Sequence, residues 1–146
     1  MRKFLTGETG FGSVAGGAAV LILRAFAGLT LAFNHGLHKL PPSERFISGV
    51  HEMGFPVPEV FAYAAGFSEF GGGILLSMGL GTRLSSFFIL ATMIVAVFIR
   101  HANDPFGGSR ELAALYGIVA VMFMITGPGR FSVDAMLRRQ YGQLFR

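Results

Sequence analysis

The chain has no cysteine and no tryptophan in its 146 residues, and few charges: Asp, Glu, Lys and Arg together make up 14%. Without cysteine there is no disulfide framework, no thiol relay, no iron–sulfur cluster and no thiolate metal site. A membrane thiol–disulfide oxidoreductase is excluded with them. Soluble domains carry about 25% charged residues, and a small soluble protein must cover most of its surface with polar groups. Twelve basic and eight acidic residues, several of them inside apolar runs, cannot do so. An ordinary soluble enzyme, a disordered tail and a nucleic-acid module are therefore excluded. The pI near 10.1 reflects a net charge of only +4, which in a membrane protein records topology and contact with anionic lipid.

What the chain does have is apolar sequence, 52% of it, at a mean hydropathy of +0.58. Four runs stand out: Val14 to Phe33 interrupted by Arg24, Val60 to Leu80 holding Glu69, Leu84 to Ile99 without charge, and Leu112 to Ile125 with Glu111 at its start. A membrane-spanning helix needs about 20 residues, so the first two suffice and the last two reach the length with their flanks. Arg83 and Arg100 can snorkel outward from the ends of the third. The expected fold is an all-α, integral membrane four-helix bundle. It forms a single transmembrane domain with spans at about 14–33, 60–80, 84–100 and 111–127. Helices satisfy their own backbone in lipid, where open strands of this composition would not.

The 21 glycines agree with that reading, since small residues let membrane helices approach closely. Ala62, Ala65, Gly66, Glu69, Gly72 and Gly73 fall on one face at helical spacing, as do Gly16, Gly17, Ala27 and Gly28. A signal peptide is the rival reading of the N-terminus, with Arg2 and Lys3 ahead of an apolar stretch and Ala25-Phe26-Ala27 resembling a cleavage site. Glu8, the glycine-rich lead-in and Arg24 beside the supposed cut argue against cleavage.

Basic residues in the short connections set orientation. Arg2, Lys3, Arg83, Arg130, Arg138, Arg139 and Arg146 gather on one side, against Lys39, Arg45, Arg100 and Arg110 on the other. Both termini are accordingly expected in the cytoplasm. The tail at 132–146 puts Leu137, Tyr141, Leu144 and Phe145 on one helical face opposite its arginines, the pattern of an interfacial amphipathic helix on anionic lipid. Between the first two spans, Ser43 to Met53 reads as a short amphipathic helix with Phe46, Ile47 and Val50 inward and Ser43 as its N-cap.

An ionisable residue at membrane depth costs at least about 2.5–3.5 kcal/mol on insertion scales, and such residues usually face the bundle interior with a partner. Arg24 and Glu69 reach similar depth from opposite directions, so an Arg24–Glu69 pair is the simplest expectation. It would serve either to fix helix register or to floor a cavity. His35, His38 and Lys39 close the first span, Arg100 and His101 close the third, and Glu111 opens the fourth. These groups point to a ligand site at one mouth of the bundle. A metal would draw on His35, His101 and Glu111, but no helical His-Glu-x-x-His sequence occurs, so no metal or haem is expected. A quinone suits the setting better: its rings would pack among Phe and Met while His and Arg bond its carbonyls and Glu moves protons.

The stretches Leu23-Arg24-Ala25-Phe26-Ala27-Gly28 and His35-Gly36-Leu37-His38-Lys39-Leu40 resemble the opening of the DoxX family. So does the run from Glu69-Phe70-Gly71-Gly72-Gly73 to Gly79-Leu80-Gly81-Thr82-Arg83. His101, Glu111 and Gly127-Pro128-Gly129-Arg130-Phe131-Ser132-Val133-Asp134 complete the pattern, in order, from about residue 20 to 137. The resemblance implies a four-helix protein of the bacterial inner membrane, and a link to quinone chemistry through the family's namesake, a subunit of a thiosulfate:quinone oxidoreductase. The family's polar motifs map onto Arg24, His35, Lys39, Glu69, His101 and Glu111.

The function expected is a membrane subunit of a quinone-linked oxidoreductase. Glu69, His35 and Glu111 are its candidate catalytic residues. Arg24, Lys39, Arg100 and His101 join those three in contacting the ligand. Membrane lipid, a redox partner protein and further copies of the chain are the expected partners, and nucleic acid is not. The alternatives are a non-enzymatic carrier of a small lipophilic molecule and a structural anchor for a partner protein.

Overall fold

The computed structural model describes residues 13–141. Helix α1 spans Val14–Thr30 and begins there because the Ser13 side chain accepts a hydrogen bond from the Gly16 N–H at 2.9 Å. It runs on without a break through a π-helical turn, Leu31–Gly36, and a 3₁₀ turn, Leu37–Lys39. The short helix α2, Glu44–Glu52, is capped by the Ser43 hydroxyl, which accepts from Phe46 N–H, and it buries Val50. Helix α3 covers Pro58–Met78, with proline in the first turn where no N–H is needed, and stops at Gly79 in the left-handed conformation, φ 70°. Helix α4, Thr82–Val95, also continues into a π-helical turn, Ala96–Arg100. Helix α5 is Gly108–Thr126 and α6 is Val133–Tyr141.

Four of these are long and apolar enough to cross a membrane: Val14–Lys39, Pro58–Met78, Thr82–Arg100 and Gly108–Thr126, of 26, 21, 19 and 19 residues. At 1.5 Å per residue the shortest reaches about 28 Å, close to the roughly 30 Å of bilayer hydrocarbon. Among the described residues there is no strand. The protein is an all-α membrane bundle, and its outer faces carry apolar side chains such as Ile22, Phe26, Phe98 and Ile118, each about two-thirds exposed (66–69%). In water such faces would aggregate; here they are the contact with lipid.

Helix α1 packs on α3, α3 on α4 and α4 on α5, while α2 lies against α3. The small-residue face of α3 does the close packing, with Ala62, Gly66, Glu69, Gly72 and Gly73 all buried. Gly28 and Gly36 set the α1–α3 register. A Cβ on Gly28 would lie 2.7 Å from Ser77 N, and one on Gly36 would lie 2.6 Å from Phe70 Cα. Only hydrogen fits at either place. Leu31, Leu76, Ile89, Met93, Ala120 and Phe123 fill the interior below the level of Gly36.

At the end of the bundle where α1 begins, the segment after α5 turns back under the helices. Asp134 N–H donates to the Gly79 carbonyl at 2.9 Å, and its carboxylate accepts from Gly81 N–H, Thr82 N–H and the Thr82 hydroxyl. The N-terminus of α4 is thus capped by a residue more than fifty positions away. Of the face expected on the tail helix, Leu137 is 38% exposed, while Leu144 and Phe145 lie outside the described residues.

Candidate functional site

The two embedded charges do not meet. Because Gly36 sits against Glu69 and Phe70 while Gly28 sits against Gly73 and Ser77, α1 and α3 run antiparallel with Arg24 opposite Ser77 and Gly79. Glu69 and Gly79 are ten residues apart on and just beyond α3, about 15 Å by helical rise. The expected Arg24–Glu69 pair is therefore replaced by two separate arrangements. The estimate of equal depth took α1 to end near residue 33, whereas it continues to Lys39 and so brings its C-terminal end, not its middle, to the level of Glu69.

Arg24 is 1% exposed and bonds to carbonyls alone. Its Nε donates to Ser77 O at 3.3 Å, one terminal nitrogen to Pro128 O and the other to Phe131 O at 2.8 Å. The planar guanidinium fork thereby ties α1, the end of α3 and the segment after α5 together. This is a clasp at the α6 end of the bundle, far from the other candidates.

Glu69, 2% exposed, is instead held by Lys39, whose ammonium donates to both carboxylate oxygens at 2.6 and 2.7 Å. The lysine side chain is 31% exposed and lies over the Phe46 ring of α2 at 5.6 Å. It reaches in from the outside, which is how a charge this deep finds a partner without a second deep charge. Lys39 and Glu69 stand in the wall of a cavity of about 140 Å³ that takes residues from all four spans. His35 lines it from the π-helical turn that extends α1, with Met93 of α4, Ala96 of the turn that extends α4, His101 just beyond that turn, and Leu112 and Tyr116 of α5. Both π-helical turns border it, and such turns occur frequently at functional sites.

His101 Nδ1 lies 2.6 Å from Asp104 in the α4–α5 turn. His35 meets the Tyr116 ring edge to face, with centroids 5.6 Å apart, and the Tyr116 hydroxyl donates to Thr30 Oγ1 at 3.0 Å. Of the seven residues expected to contact the ligand, four do line this cavity: His35, Lys39, Glu69 and His101. Arg24 is at the opposite end. Arg100 and Glu111 are exposed and are not among the lining residues. Tyr116 lines it and was not anticipated, because a single tyrosine in an apolar run has no spacing signal. Among the described residues no group of three His, Asp or Glu converges in the way a metal site requires.

A second hollow, about 260 Å³, lies at the α6 end between Gly81, Arg83, Pro128, Asp134 and Arg138. Burial alone would raise the Asp134 carboxyl, but the bonds from Thr82 and Gly81, with the Arg138 charge, outweigh it and hold the group below the ordinary carboxylate range.

The chain matches the family model described as DoxX over residues 19–102, more than half its length and all of α1 to α4 except the first turn of α1. It is 30% identical over 114 residues to "Putative oxidoreductase CatD" of Bacillus subtilis (strain 168), covering 78% of this chain and 83% of that protein. An uncharacterized protein of Haemophilus influenzae is 28% identical over 75% of this chain and 87% of its own length. "Inner membrane protein YqjF" of Escherichia coli (strain K12) is 26% identical over 68% of this chain and 75% of its own. No solved structure matches it.

Proposed function

This chain belongs to the DoxX family of membrane proteins, and from that premise we propose that it is the membrane subunit of a quinone-linked oxidoreductase. In this reading the cavity at Lys39–Glu69 receives the head group. The observation that carries it is a buried carboxylate, Glu69, held by both oxygens on a half-exposed lysine in the wall of a cavity that also holds two histidines, Tyr116 and Ser109 among apolar side chains. Charged groups at membrane depth usually serve a function, and a few convergent polar groups in an apolar pocket are the usual form of a small-molecule site.

The donor set suits a quinone. Lys39, His35 and His101 bring nitrogen donors to the cavity wall, and Leu112, Met93 and Ala96 bring apolar contact. The volume sets a limit: drug-sized ligands occupy about 300–1,000 Å³, so about 140 Å³ holds one ring and leaves the tail among helices or lipid. A bound quinone would supply a two-electron, two-proton acceptor. The chain's own residues bind and orient the ring, while Glu69 and Lys39 exchange protons at their carboxylate and ammonium through the partly exposed lysine. Electrons come from a partner protein. The relative named as an oxidoreductase supports redox work, and the one named as an inner membrane protein supports placement in that membrane. The excess of basic residues at the α6 end supports a cytoplasmic side there, and with it a cavity facing the periplasm.

A second reading, a binder without turnover, draws support from the same ion pair, since Lys39 and Glu69 already satisfy one another. Mass spectrometry of lipids retained by the purified protein, followed by addition of a reductant-loaded partner fraction, separates the two. Co-purified quinone that becomes reduced supports the oxidoreductase; retained quinone that stays oxidised supports the binder. Absence of quinone, together with no uptake of added decylubiquinone, overturns both.

A further inference from the structure

Three of the four contacts between neighbouring spans are made by close backbone packing, but between α1 and α5 the backbones barely approach. That seam is bridged by side chains. Tyr116 of α5 donates its hydroxyl to Thr30 of α1 and lays its ring against His35 one turn further along α1. Both Tyr116 and His35 line the cavity and both are half-buried, so the pair forms part of its wall at the seam. Toward the α6 end Ala27 of α1 and Ala120 and Phe123 of α5 are buried, whereas at the cavity level His35 and Tyr116 are only half-buried. Thr30 is the last α-helical residue of α1, and the π-helical turn begins at the next residue. The gate post thus stands where the backbone changes its hydrogen-bond pattern.

We propose that the α1–α5 seam is the entry route for a lipophilic ligand from the bilayer into the cavity, and that the Tyr116 phenol, tied to Thr30, is its gate. Opening needs one side-chain rotation that breaks one hydrogen bond and uncovers His35 at the same time. A ring with an aliphatic tail fits this geometry, because the head can occupy the small cavity while the tail stays in the seam. The inference rests on the proposed binding of a quinone-like head group.

The absence of cysteine makes the test clean. In the full chain, Thr30→Cys and Tyr116→Cys are joined by a short bis-methanethiosulfonate linker, and exchange of bound decylubiquinone for its deuterated form is followed by native mass spectrometry. Bridging is expected to slow exchange at least tenfold, and reductive release of the linker, with reductant removed before quinone is added, restores it. The same linker across Ser68 and Thr92, which join α3 to α4 by a 2.9 Å hydrogen bond, leaves exchange unchanged. Tyr116→Phe keeps the ring and loses the bond, and should speed exchange roughly two- to tenfold, the ordinary net worth of one hydrogen bond. Binding with the same exchange rate in bridged and released protein overturns the gate alone. Failure of the unbridged wild-type chain to bind decylubiquinone overturns the proposed function and the gate with it.

Discussion

Replacing Arg24 separates a clasp from a ligand contact. Arg24→Gln removes a buried guanidinium that bonds to the Ser77, Pro128 and Phe131 carbonyls, and leaves those oxygens with a shorter, neutral donor. Hydrogen bonds to charged groups contribute about 1.5–3 kcal/mol each. Two bonds lost outright would give about 3–6 kcal/mol, and non-additivity within one network trims this to about 3–4 kcal/mol. For a chain of this size that is a fall in Tm of roughly 6–16 °C, read by circular dichroism in detergent. Hydrogen exchange should rise in the segment from Gly127 to Asp134, because the clasp and the Asp134–Gly79 contact hold it. Arg24→Lys keeps the charge but not the fork, so it should fall between. Decylubiquinone binding should be unchanged in protein that remains folded, since the cavity is about 15 Å away along α3. Full stability in Arg24→Gln, or a tenfold loss of binding without loss of stability, would refute the clasp.

Three further predictions concern other parts of the bundle. Asp134→Asn should cost about 1 kcal/mol through the weakened cap on α4. Because the folded carboxyl titrates below its unfolded value, its contribution is present above about pH 4 and lost as pH falls through the folded value; acid melts of wild type and variant should converge there. Gly36→Ala should destabilise by about 1–3 kcal/mol because α1 must move off Phe70, whereas Gly71→Ala meets nothing within 4 Å and should be neutral or gain up to about 1 kcal/mol. Lys39→Gln leaves Glu69 buried and unpaired and should cost about 2–3 kcal/mol, while Lys39→Gln with Glu69→Gln recovers most of it; a double-mutant cycle by thermal unfolding measures the coupling.

The parts of this protein that follow from local pattern were readable from the chain. Apolar run length located all four long helices, and Ser43 with Phe46, Ile47 and Val50 located α2. Insertion cost alone marked Arg24 and Glu69 as buried. Their partners were another matter, because pairing depends on where α1 stops and on the α1–α3 register. Both turn on the backbone: the helix passes through Asn34 and Gly36 as a π-helical turn, and Gly36 presses on Phe70. Lys39 lay six residues beyond the expected end of the span and was read as part of a mouth, when its length lets it reach inward to Glu69. Asp134 stood out only as part of the Gly127–Asp134 stretch and Tyr116 not at all, since each acts on a helix remote in sequence. Sequence named the costly charges; tertiary register chose their partners.

The central claim is that the Lys39–Glu69 cavity binds a quinone head group. It is tested most directly by titrating decylubiquinone into the detergent-solubilised full chain beside the Lys39→Gln, Glu69→Gln double variant, which keeps side-chain volume and net charge. Saturable binding to wild type, at least tenfold weaker in a double variant whose Tm is within a few degrees, is the predicted result. Equal binding by both proteins, or none by either, would contradict it.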